Sequence, residues 1–255
     1  KGTVWQLIIL AELGADGSDG RVRRACEFVL DNAQDRLSGG FATQGDAASG
    51  GSHDIVIPCL TGNMAFSLIR LGYAGDARLK NAIDWITAYQ RFDDRTDRAP
   101  AGWPYHISFG CWGRHTCSMG AIKALKALAE LPPESRSPQA GQTIAQGAEY
   151  FLKHHVYKRS HNLDNVCKDG WLRFGFPLMY QTDALEILSV LAKLGYSDER
   201  MQEAVKLVLS KQDGQGRWLL ETTFNGRFQV NIESRDRPSK WLTLNALRTL
   251  KALYP

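Results

Sequence analysis

The chain has 255 residues, 44% of them hydrophobic and 23% charged, with a formal net charge of +4. This excludes a disordered, collagen-like or disulfide-scaffold protein, and the length can bury a core without staples. The basic residues are scattered, so nucleic acid is not expected as a partner.

The first predicted element is apolar around much of its circumference and covers 5–13 (WQLIILAEL). No small-residue cleavage site follows it, so it does not read as a signal peptide. The chain starts almost inside this helix, and an N-terminal half-repeat is expected upstream. An amphipathic helix follows over 21–33, with Val22, Ala25, Cys26 and Val29 on one stripe. The pattern then alternates. Segments 62–71, 118–131, 183–194 and 241–253 are apolar nearly all round, whereas 76–89 and 201–212 carry a single apolar stripe. Helices of the first kind are expected inside and those of the second outside. No apolar stretch reaches about eighteen residues, so no integral membrane segment is expected.

The apolar helices end alike: AELG at 11–14, IRLG at 69–72, LAELPP at 128–133, AKLG at 192–195 and LKALYP at 250–255. Leu13, Leu71, Leu131, Leu194 and Leu253 are spaced by 58, 60, 63 and 59 residues. Gly/aromatic loops fall between them, at 39–41, 101–105, 169–177 and 213–218. Each unit reads as helix, turn, helix, long loop. An inner ring inside an outer ring predicts an all-α fold, an α/α barrel or toroid of one domain over 1–255. An open stack of helix pairs is the alternative. The segment 229–233 is too short to alter the all-α class. Five cysteines without Cys-x-x-Cys spacing point to free thiols in a reducing, cytoplasmic compartment.

These alternating helices and Gly/aromatic loops resemble the repeats of squalene cyclases and protein prenyltransferase β subunits, over nearly the whole chain. The resemblance implies a small or isoprenoid-like substrate, held in a central cavity at the N-terminal ends of the inner helices. Those ends here carry Cys59, Cys111, Arg114, His115, Cys117, Tyr180, Asp183 and Lys240. The acidic motif of squalene cyclases is represented at 180–183 by its last acid alone, Asp183. The Asp-x-Cys and His zinc ligands of prenyltransferases are represented by Cys59 and His115, with Ile57 where the carboxylate would stand.

Cys59, His115 and Asp183 begin successive inner helices and are the candidate catalytic residues. They read three ways. They could form a zinc site with an open position. They could form a Cys–His–Asp arrangement in which the imidazole takes the thiol proton. Or they could be a buried thiol, a hydrogen-bonded imidazole and a helix cap. Trp112, Phe176, Tyr180 and Trp241 are candidate substrate-binding aromatics, with Arg114 as a charge stabiliser. Trp103, Trp171 and Trp218 read instead as wedges between repeats, and Phe109 belongs to the same aromatic set. An extended 224–237 would align Arg227 and Glu233 with other polar residues on one face, as an anion or hydroxyl subsite. The polar stretch 154–167 reads as a solvated loop. No P-loop, GxGxxG, GxSxG or HExxH motif is present. The expected function is a terpenoid cyclase- or prenyltransferase-like enzyme acting on a small molecule. The alternatives are a Cys/His hydrolase or lyase on a polar substrate, and a non-catalytic binding or scaffold protein.

Overall fold

The segment at 5–13 folds as α1 (Thr3–Glu12) and the amphipathic run after it as α2 (Gly20–Ala33). The computed structural model describes residues 2–96, 98, 100–107 and 110–254; Phe109 lies outside them. Contacts group the chain into two units, Lys1–Gly147 and Ala148–Pro255.

In the first unit follow α3 (Pro58–Leu68), α4 (Ala77–Tyr89) and α5 (Ser118–Glu130). α6 (Pro138–Lys153) crosses the boundary. α3 packs on α5 and α1, and α3 is buried continuously from Thr61 to Leu68. α3 and α5 touch backbone to backbone. A Cβ on Gly62 would lie 2.4 Å from the Lys123 carbonyl carbon, and one on Gly120 would lie 2.9 Å from Pro58 Cγ. α2 and α4 are joined by charge. The Arg78 guanidinium grips Asp76 (2.7 Å) at its own helix start and Glu27 (2.8 Å) on α2. The loop after α2 is pinned by Asp35, 4% exposed, whose carboxylate receives the Leu37 and Ser38 amides and lies 2.7 Å from His53 Nδ1.

The second unit holds α7 (Ala184–Lys193), α8 (Gln202–Ser210) and α9 (Lys240–Leu253). α7 is buried along most of its length and packs on α9 and α8. Here Arg200, just before α8, grips Asp198 (2.8 Å) and Glu149 of α6 (3.0 Å). Trp218 is fully buried and its indole N–H donates to the Val208 carbonyl (2.7 Å). The recurring Leu-Gly endings have a physical cause. Gly14, Gly72 and Gly195 adopt φ of +71°, +90° and +87°. After α1 and α7 the amide beyond the glycine turns back to the helix, Ala15 to Leu10 and Tyr196 to Leu191.

The all-α class is overturned. Three two-stranded antiparallel sheets stand between the helices: β1 (Gly45–Asp46) with β2 (Gly50–Gly51), β3 (Lys158–Arg159) with β4 (Asn162–Val166), and β5 (Trp218–Leu219) with β6 (Pro238–Ser239). The fold is mixed, mostly helical with small two-stranded sheets. Five of these six strands are two residues long, and β4 is polar throughout most of its length, so no period-two hydrophobic pattern marks them. The stretch 154–167 is accordingly structured. His154 is buried with Nδ1 2.7 Å from the Tyr150 carbonyl, and the Cys167 thiol donates to the Lys158 carbonyl (2.8 Å). No helix among the described residues is long and apolar enough to cross a membrane.

Candidate ligand-binding cleft

In the second unit the chain from Phe174 to Phe176 runs beside residues 220–222. The Glu221 and Thr222 amides donate to the Phe174 carbonyl (3.0 and 3.1 Å), and the Phe174 amide donates to the Glu221 carboxylate (2.8 Å). Gly175 allows this approach, since a Cβ there would lie 2.3 Å from Thr222 Oγ1. The pairing brings the turn 177–181 against 222–227. Between them opens a cleft of about 210 Å³ lined by Pro177, Leu178, Tyr180, Gln181, Thr222, Thr223, Phe224 and Arg227.

The cleft has an aromatic wall and a cationic rim. The Tyr180 ring meets Phe224 edge-on at 6.0 Å, and Phe228 follows at 6.5 Å. Arg227 is exposed, and its guanidinium has no ion-pair partner among the described residues. Between Leu178 and Tyr180, Met179 holds φ +54° while its side chain is 1% exposed. A non-glycine residue in that region is strained, and such strain concentrates at functional sites.

The other predicted residues of this unit have structural partners. Asp183 caps α7. One carboxylate oxygen receives the Glu186 amide (2.8 Å) and the other the Gly175 amide (2.9 Å). Glu233 caps α9 through the Lys240 amide (2.9 Å) and the Ser239 hydroxyl. The segment 224–237 is not extended. It turns at Gly226 (φ +77°) and at Asp236 (φ +58°), so Arg227 and Glu233 do not share the predicted face. Phe176 is buried and stacks on Trp241 at 5.5 Å and 12°. The Trp241 indole N–H is buried without an acceptor among the described residues.

In the first unit, Cys59 lies in the first turn of α3 and Cys117 occupies the residue just before α5. Burial pushes the Cys59 thiol up to about 11, with Cys117 raising it further and Lys123 opposing. Burial likewise pushes Cys111 up to about 12. A desolvated thiol beside other thiols stays protonated and is a poor nucleophile. His115 is half-exposed and directs Nδ1 to the Arg95 amide (3.3 Å) and Asp94 (3.4 Å). Arg114 donates to the Thr96 carbonyl (2.9 Å) on the surface. The Trp112 ring packs edge-on against Tyr105 at 5.1 Å. Among the described residues no three His, Cys, Asp or Glu side chains are grouped to hold a metal ion. With that, and with Ile57 in the carboxylate position, these residues do not fit zinc.

Two of the predicted binding residues, Tyr180 and Arg227, therefore line one cleft. Reading the sequence missed Phe224, Thr222, Thr223 and Gln181. The aromatic at 224, just before the Asn225-Gly226 turn, was the available signal. No family model and no curated protein matches the chain.

Proposed function

We propose that this chain is a terpenoid cyclase- or prenyltransferase-like enzyme whose isoprenoid-like substrate enters the cleft of the second unit. The observation that carries the reading is the Arg227 guanidinium, without an ion-pair partner among the described residues, on the rim of a cleft walled by Tyr180 and Phe224. An apolar chain with an anionic head matches that division. Leu178, Pro177 and the rings take the hydrocarbon, and Arg227 takes the charge as a forked donor. When the C–O bond to a diphosphate breaks, its electron pair leaves with the diphosphate, where Arg227 stabilises the added charge. The ring faces of Tyr180 and Phe224 stabilise the allylic cation left behind. A volume near 210 Å³ suits a short isoprenoid, with a longer one projecting through the open mouth.

Titration calorimetry with geranyl diphosphate, geraniol and inorganic diphosphate tests this. Arg227→Ala is expected to weaken the two diphosphates by about tenfold or more and leave geraniol unchanged. Tyr180→Ala is expected to weaken geraniol. Failure of the unaltered protein to bind geranyl diphosphate, or indifference of Arg227→Ala, overturns the reading.

One observation favours a second reading, a non-catalytic binding protein. The two acids nearest the cleft in sequence, Asp183 and Glu233, are committed to helix caps. Binding of geranyl diphosphate without release of diphosphate would select it.

A further inference from the structure

The starts of α2 and α4 and of the short turn leading into α8 carry the same device. Asp19, Asp76 and Asp198 each precede an arginine by two residues, and each carboxylate takes the arginine's backbone amide and both Nε and Nη2. The aspartate thus fixes the guanidinium plane before any second partner arrives. At α4 the same fork reaches a glutamate on α2, and ahead of α8 it reaches one on α6. Arg78 meets Glu27 at 2.8 and 3.2 Å, and Arg200 meets Glu149 at 3.0 and 3.1 Å. These two side chains are 38% and 31% exposed. At α2 the fork is set in the same way, yet among the described residues Arg21 meets Asp19 alone and is 84% exposed.

The rest of that face is also uncovered. Arg24 and Phe28 follow Arg21 at helical spacing on one stripe; Arg24 is exposed and Phe28 is 53% exposed. A preorganised fork beside an exposed aromatic ring presents a charge partner and an apolar anchor together. We propose that this face of α2 docks an amphipathic helix of another protein, one that offers a glutamate to Arg21 and an apolar side chain to Phe28. The chain itself makes this contact twice, which defines the chemistry of the occupant. A second copy is disfavoured because the corresponding glutamates of this chain, Glu27 and Glu149, are already held by its own Arg78 and Arg200.

A labelled synthetic peptide with the sequence of residues 137–153, which carries the Glu149 used against Arg200, is the probe. Its anisotropy is followed on titration with the intact protein, alongside a Glu149→Gln peptide. The glutamate peptide is expected to bind. Glu149→Gln in the peptide and Arg21→Ala in the protein are each expected to weaken it by about tenfold, and their combination by little more. The melting temperature of Arg21→Ala should move little, since the Arg21–Asp19 pair is exposed to water. Equal affinity for both peptides, or no binding of either at millimolar concentration, overturns the proposal. So does a concentration-dependent dimer in sedimentation that Arg21→Ala abolishes, which would make the occupant a second copy.

Discussion

Asp183 uses both carboxylate oxygens on backbone amides, one at the start of α7 and one in the strand-like run beside it. Removing it leaves the Glu186 and Gly175 amides unpaired in a buried place. Asp183→Ala is expected to cost about 2–4 kcal/mol, read from urea denaturation. Asp183→Asn keeps an acceptor for one amide only and should fall between the two. A loss below about 0.5 kcal/mol for the alanine variant would contradict the capping role. At this scale residue type was legible and role was not. An aspartate before an apolar run reads equally as cap or acid, and only the positions of Gly175 and Glu186 separate the two. His115 and Cys59 were ambiguous for the same reason. Their chemistry depends on neighbours distant in sequence, Asp94 for one and Cys117 with Lys123 for the other.

Among the elements, α3 and α5 show what the sequence transmitted well. Their length and near-total burial follow from apolar residues all round. Gly62 read as an ordinary helix residue, and its purpose emerges only from the Lys123 backbone lying against it. Gly62→Ala pushes a methyl carbon into that backbone, which has no rotamer to yield. The two helices must separate, at an expected cost of about 1–3 kcal/mol or more. Thermal unfolding measures it; an unchanged midpoint would mean that the helices do not pack this closely. The small sheets were the least legible elements. Two-residue strands are held by turns and by pairing, neither of which writes a hydrophobic period into the chain.

Across the whole molecule, stability should fall on both sides of neutral pH. Burial raises the thiols of Cys26 and Cys59 to about 11 and that of Cys111 to about 12, from an ordinary value of 9. The unfolded chain ionises first as pH rises, so stability declines from pH 9 upward and levels near 11 to 12. At the acid end, hydrogen bonds from Arg200 lower Asp198 to about 2, and those from Arg78 lower Glu27 and Asp76. There the unfolded chain takes up protons first, so stability is lost as pH falls below about 4. Chemical denaturation from pH 3 to 11 is the measurement, and iodoacetamide labelling of Cys59 should accelerate only as pH approaches 11. A flat alkaline limb would show these thiols to be solvated.

The sequence by itself determined which helices are buried and placed most of them to within a few residues, although no bounds were read for α6 and α3 starts four residues before the predicted 62. Periodicity and left-handed glycines at helix ends act over a few residues and leave their mark in the local pattern. Tertiary structure alone decided which side chains share the cleft and which acids serve as caps. The cleft depends on residues 174–176 lying against 220–222, a pairing made largely by backbone amides and carbonyls that every residue carries, and such groups leave no local trace in the sequence.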